Sequence, residues 1–360
     1  MKNFQNAVIL TLLLGLISYT VYDKMTEVPC MSTDNRLSSA TYHLEIPDSF
    51  SFCNEAVPLK EADVRERFDR EMHVNVFWHS STYLVVKRAN KWFPRIEEIL
   101  KEQGIPEDFK YLVVVESALT NVISPAGATG FWQFLPETAK NYGLEVGEEV
   151  DDRYDPIKST YAACKYLKQA YKKFGNWALV AASYNMGLTG VENALNEQKV
   201  TSYYDLALNE ETSRYLFRIL AFKEIFENKA KYGFNIKQEH LYKPVKLAYV
   251  EVTESIPNLV EFALKNKVTY KTLKIHNPWL RKNSLTVENG KTYKIALPKE
   301  KVEDDDVTAL ELGIIDAPIA DMQTAKNMES GKNASQETEK GNNNKVLSEE
   351  TIAQADVSAS

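Results

Sequence analysis

The chain has 360 residues, is 44% apolar and 11% aromatic, and carries a net charge of −7, proportions of a globular protein with a sizeable core. Thirteen Asp and Glu against five Lys fall within 301–360, which leaves the first 300 residues at +1. A near-neutral body without a basic stripe excludes nucleic acid as a partner, and five histidines without ligand spacing and no CxxC exclude a metal or cofactor site.

Ala7 to Val21 is almost wholly apolar and follows Lys2. Its length is that of a signal-peptide core and falls short of a span of about 20 residues. Residues 1–22 therefore read as a signal peptide or membrane anchor, and the protein as exported. Residues 23–58 are polar with scattered Pro and Ser and read as a linker. In an exported chain Cys30 and Cys53 are candidates to pair, while Cys164 sits in a helical run as a small core residue.

Helical periodicity dominates from Glu61 to Asn228 and predicts an all-α domain over 59–235. Helices are expected over 60–75, 80–102, 107–118, 133–142, 156–174, 176–186 and 211–228. Asp155-Pro156 is an N-cap followed by Pro at the first helical position, and Gly175 closes the same helix, with Tyr161, Cys164, Tyr171 and Phe174 as its buried stripe. Around 245 the pattern changes. Alternating runs at 246–252 and 292–297 flank two short helices, opened by Ser255-Ile256-Pro257 and by Thr269, giving a strand–helix–helix–strand module over 245–299. Residues 300–360, with Glu303-Asp304-Asp305-Asp306 and Gly341-Asn342-Asn343-Asn344, lack the apolar area to offset ordering entropy and are expected to be disordered.

One carboxylate is out of place. Phe109, Leu112, Val113, Glu116 and Leu119 recur at helical spacing, so Glu116 shares the apolar face. It either lies at the mouth of a cleft or escapes to water where the helix ends. After it runs Ser124-Pro125-Ala126-Gly127-Ala128-Thr129-Gly130, a tight loop, then Phe131-Trp132-Gln133. Polar groups interleaved with partly exposed aromatics suit a sugar cleft. Ser183-Tyr184-Asn185 and Glu211-Thr212-Ser213-Arg214-Tyr215 follow. Singly, each of these signals has a plain structural reading: a solvated charge, a chain turn, a helix cap.

Together, in this order, the four motifs resemble the soluble-lytic-transglycosylase domain of the lysozyme superfamily over about Glu61 to Phe226, with Ser183 where that family usually has Ala. The module at 247–298 is similar to the LysM peptidoglycan-binding fold. Asn277-Pro278-Trp279-Leu280 and Tyr293-Lys294-Ile295 fit its pattern, and Thr253-Glu254-Ser255-Ile256 departs from it. The resemblance implies a mainly α, lysozyme-like catalytic domain followed by a small α+β LysM-like module. It further implies a monomer acting on peptidoglycan strands at the periplasmic side of the cell envelope, membrane-anchored through the N-terminal segment or secreted to the periplasm. It makes Glu116 the catalytic acid, and Ser117, Ser124, Gln133, Tyr184, Asn185, Glu211 and Tyr215 substrate-binding residues.

Glycosidic cleavage needs an acid that is protonated near neutral pH, whereas a free Glu titrates near about 4.3. The apolar face around Glu116 is expected to raise it by desolvation. In the resembled family the substrate's own C6 hydroxyl replaces a second carboxylate, and the product is a 1,6-anhydromuramyl end. Two alternatives stay open. A hydrolytic muramidase would recruit Asp151, Asp152 or Asp155 as a second carboxylate, although these read more simply as loop charges and a helix cap. A non-catalytic wall-binding scaffold would use Glu116 for nothing.

Overall fold

The computed structural model describes residues 43–299, of which those from Leu44 on belong to one compact unit. The apolar N-terminal segment, Cys30 and the acidic C-terminal stretch lie outside the described residues.

Order begins earlier than the composition of 23–58 implies. Strands β1 (Phe50–Phe52) and β2 (Glu55–Val57) form an antiparallel hairpin. Its two-residue turn, Cys53 and Asn54, takes positive φ at both positions (52° and 65°), as hairpins with right-handed strand twist require. The side chain of Asp108 accepts the Cys53 amide at 2.7 Å and fixes the turn. Leu44, Phe52, Val57 and Leu59 are buried in the main core. Three-residue strands are too brief to show a period of two, so a linker reading was natural and is corrected here from Leu44 onward.

Eight helices follow: α1 (Ala62–Phe77), α2 (His79–Glu102), α3 (Lys110–Ser117), α4 (Pro136–Asn141), α5 (Pro156–Phe174), α6 (Trp177–Met186), α7 (Leu188–Gln198) and α8 (Glu210–Glu227). α8 is buried along most of its length and packs on α1, α3 and α6. A buried ion pair ties it to α1, where Glu71, 1% exposed, accepts from Arg214 Nε at 2.6 Å. The sequence did not announce α7, because it follows Gly187 as its cap, contains Gly190 and buries only Val191 and Ala194. In α5 the caps stand where expected. Asp155 accepts the amides of Ile157 and Lys158, and Gly175 closes the helix at φ 65°. The stripe differs. Cys164, Leu167 and Ala170 are buried, whereas Tyr171 is exposed and stacks on Trp177 at 4.0 Å. Close approach to α6 selects small residues for that face, and the large rings go to its edges.

The C-terminal module pairs β3 (Leu247–Val252) antiparallel to β4 (Tyr293–Pro298), with α9 (Leu259–Lys265) and α10 (Tyr270–His276) between them. Asn258 caps α9, so this helix starts later than Ser255 suggested. Pro257 holds its predecessor extended, and the Asn258 side chain accepts the amides of Val260 and Glu261. Asn277 is fully buried and satisfies its amide on Leu273 O, Ala296 O and Ala296 N. Val150 and Tyr154 of the helical domain enter the module's own hydrophobic cluster. Backbone bonds join the two parts: Asp151 N to Trp279 O at 2.9 Å and Arg281 N to Glu149 O at 2.7 Å.

Candidate active site

The helix-end reading of Glu116 holds. α3 ends at Ser117, one residue beyond the carboxylate, and buries Tyr111, Leu112, Val113 and Val114. Ala118 and Leu119 then take left-handed backbone (φ 50° and 59°), a conformation that costs non-glycine residues on the order of 1 kcal/mol each. Arg88 Nη1 holds this corner by donating to Ala118 O at 3.2 Å. The sharp stop leaves Glu116 half-buried in the last turn, where it accepts a hydrogen bond from the Tyr215 hydroxyl of α8. Burial pushes the Tyr215 phenol well above its ordinary value, with the Glu116 charge and the hydrogen bond adding to it. Tyr215 therefore stays a donor at neutral pH. The Tyr184 hydroxyl, raised by burial and by Glu116, donates to Trp132 O at 2.8 Å.

The loop 118–134 is built to hold one shape. Ser124 is buried, its Oγ accepting the Ala128 amide at 3.0 Å, while Ser124 N donates to Ala128 O. Gln133 adopts φ 49° and spends its Nε2 on Val122 O and Gly130 O at 3.0 and 2.7 Å, so Oε1 is what its amide offers a ligand. Asn185 donates to Glu211 Oε1 at 3.1 Å and accepts from Thr212 Oγ1 at 2.7 Å, which joins α6 to α8 beside Tyr215.

Not every expected residue faces this site. Ser117 is fully buried and its hydroxyl bonds Val113 O of its own helix, so it packs and does not present a group to a ligand. Phe131 and Trp132, expected to be partly exposed, are 3% and 0% exposed. Trp132 Nε1 donates to Thr160 at 2.8 Å, and the ring supports Tyr184 from behind. Asp151 and Asp152 are buried ion-pair partners and not loop charges: Asp151 meets Arg153 at 2.7 Å and Asp152 meets Lys158 at 2.7 Å.

Arg153 was not singled out from the sequence. It is 8% exposed, and besides Asp151 it donates to Gly127 O and Phe134 O, clamping both arms of the loop. The only signal was a lone Arg among acids. Gly130 sits against the same residue at φ 82°, where an added Cβ would lie 1.9 Å from the Arg153 carbonyl oxygen. Gly130→Ala is expected to destabilise the protein by about 2–3 kcal/mol and to displace Gln133. A denaturant midpoint unchanged from wild type would show that the loop yields freely.

Residues 94–206 match the transglycosylase SLT domain, and residues 248–301 match the soluble lytic transglycosylase C-terminal LysM-like domain. The chain thus joins a lysozyme-like SLT domain to a LysM-like module. It is similar to membrane-bound lytic murein transglycosylase D of Escherichia coli, with 31% identity over 202 residues that cover 52% of this chain and 44% of that protein. The same figures hold for the protein of that name in a second Escherichia coli strain. The chain therefore spans less than half the length of these curated relatives. A solved structure, an inactive mutant of lytic transglycosylase Slt from Pseudomonas aeruginosa, aligns at 21% identity and TM-score 0.33 over 42% of this chain and 26% of that one. The Glu211–Tyr215 motif lies beyond the matched SLT stretch, and its place beside Glu116 comes from the fold alone.

Proposed function

We propose that the protein is a peptidoglycan lytic transglycosylase that cleaves the MurNAc-GlcNAc β-1,4 bond with Glu116 as its acid–base residue. The observation that carries this reading is the place of Glu116 at a helix end, held by Tyr215, while Asp151, Asp152 and Asp155 are all engaged elsewhere. Glu116 gives its proton to the leaving O4 as the bond from C1 breaks. The C6 hydroxyl of the same muramyl residue then attacks C1, assisted by its N-acetyl group, and returns its proton to Glu116. Atoms balance without water, and the product ends in a 1,6-anhydro ring. The Gln133 Oε1, the Asn185 amide and the Ser124 loop are positioned to orient the N-acetyl and hydroxyl groups. Digestion of purified peptidoglycan followed by product masses tests this: fragments one water lighter than a hydrolase's are expected, and predominantly reducing muramic-acid ends would overturn it.

A hydrolytic reading retains one support, Glu211, which stands one helical turn before Tyr215 and is a second carboxylate of the site. We assign it the task of holding Asn185. Glu211→Gln still accepts from the Asn185 amide, so activity is expected to fall by no more than about tenfold. A loss as deep as that of a Glu116 variant, in folded protein, would make Glu211 a catalytic carboxylate.

Among the described residues no helix is long and apolar enough to cross a membrane. The apolar run Ala7–Val21 supports an envelope location on the outer side of the inner membrane, with cell-wall remodelling as the role. Deleting residues 2–22 is expected to strand the protein in the cytoplasm, and its recovery outside the inner membrane would contradict this.

A further inference from the structure

The Gln133 amide is set from outside its own turn. Its Nε2 donates to Val122 O at 3.0 Å, and Gly130 N donates to the same carbonyl at 2.9 Å, so the place of Val122 governs the place of Gln133. The residue before it, Asn121, is tied to a segment far along the chain, donating through Nδ2 to Tyr154 O at 3.1 Å. Arg153 holds the opposite arm through Gly127 O and Phe134 O. Two successive residues thus grip the loop on both arms.

Tyr154 differs from its neighbour in what its side chain does. It ends a single 3₁₀ turn, Asp152–Tyr154, that stands between two capping carboxylates. Asp151 accepts the Arg153 amide, and Asp155 accepts the amides of Ile157 and Lys158. Capped on both sides, the turn has a fixed backbone and its last carbonyl a fixed direction. The ring, 8% exposed, belongs to the hydrophobic cluster of the module and not to that of the helical domain. Arg281, from the module, lays its guanidinium 3.8 Å from the ring centroid, a contact worth about 0.5–1 kcal/mol at an exposed site. Val150, in the same cluster, bridges to Leu280 and keeps the segment against the module. One residue therefore has its ring in the module and its carbonyl on the loop of the candidate active site. A ring that lost its seat would free the backbone that aims this carbonyl at Asn121.

We propose that Tyr154 is a positioning residue for glycan cleavage: seated in the module under Arg281, it holds Asn121 and through it sets Gln133. The inference rests on the function proposed above and gives the module a part in turnover itself.

The test is steady-state cleavage of a soluble tetrasaccharide, two GlcNAc-MurNAc repeats with their peptides, joined to fluorine NMR of full chains labelled with fluorotryptophan. Tyr154→Leu is expected to lower kcat about tenfold with KM within about twofold, the split that misplacement of a group produces and loss of binding does not. It should also shift the Trp132 resonance, assigned with Trp132→Phe, because Trp132 adjoins Gln133. Tyr154→Phe keeps the ring and should restore both readouts. Arg281→Ala changes an exposed side chain and is expected to cost about threefold in kcat, and nothing further in a Tyr154→Leu background. Folded Tyr154→Leu protein with wild-type kcat would overturn the proposal, as would a loss confined to KM or a loss with the Trp132 resonance in place. If Tyr154→Leu does not fold, Arg281→Ala decides alone, and a wild-type kcat there overturns it. A wild-type chain that cleaves no glycan would retract the catalytic reading and this one with it. A cleaving wild type with unaffected variants would sink this one alone.

Discussion

Glu116→Gln is expected to abolish peptidoglycan cleavage, by a factor of at least about 10²–10⁴, while leaving the melting temperature within a few degrees of wild type. The substitution keeps size and shape, and Gln can still accept from Tyr215 through its amide oxygen, so the contact to α8 survives. What is lost is a proton that can be given to the leaving oxygen and taken back from the attacking hydroxyl. Among the described residues no other hydrogen bond between Tyr215 and a carboxylate is seen, and Asp155 caps a helix while Asp151 and Asp152 pair with Arg153 and Lys158. Folded variant protein that clears the polymer at a near wild-type rate would remove Glu116 from the mechanism.

Glu71→Ala is expected to cost about 3–5 kcal/mol, lowering the melting temperature by roughly 6–15 °C. Glu71 is buried between α1 and α8, paired with Arg214 at 2.6 Å and facing Arg218 at 3.8 Å. Removing the carboxylate leaves two guanidinium groups against each other, and Arg218 is already poorly solvated, its burial pulling its affinity for the proton down. Arg214 keeps a second, exposed partner in Glu210, which favours the lower end of the range. Thermal unfolding measures this, and a shift under 2 °C would show that α1 and α8 are held by apolar packing alone.

Much of this architecture was legible because its signals are local. The Asp155-Pro156 start and the Gly175 stop of α5 need only neighbouring residues, as does the alternation of β3 and β4. Glu116 was legible because a carboxylate in an apolar repeat violates helix patterning. What stayed hidden depends on partners far along the chain. Ser117 adjoins Glu116 yet turns inward, because one position along a helix rotates a side chain by about 100°. Asp151 and Asp152 read as loop charges, and only the fold shows that they are buried and that Arg153 grips the 124–134 loop. A cavity between the helical domain and the module draws on α2, α5, α10 and both strands of the module, a juxtaposition that no spacing rule contains.

The docking of the module on the 145–155 segment fixes geometry as well as contact. Asp151 receives Arg153 on its side chain and gives its amide to Trp279 O, and Arg153 in turn grips the loop that carries Gln133. Two hydrogen-bonded steps thus run from the module to the loop that carries Gln133, with no slack tether among them. A polymer held by the module would be presented at one constant offset from Glu116, so the protein would act as a gauge. Cuts along a strand would fall at a preferred interval from the gripped unit, and fragment lengths would cluster where a loosely leashed cutter would scatter them.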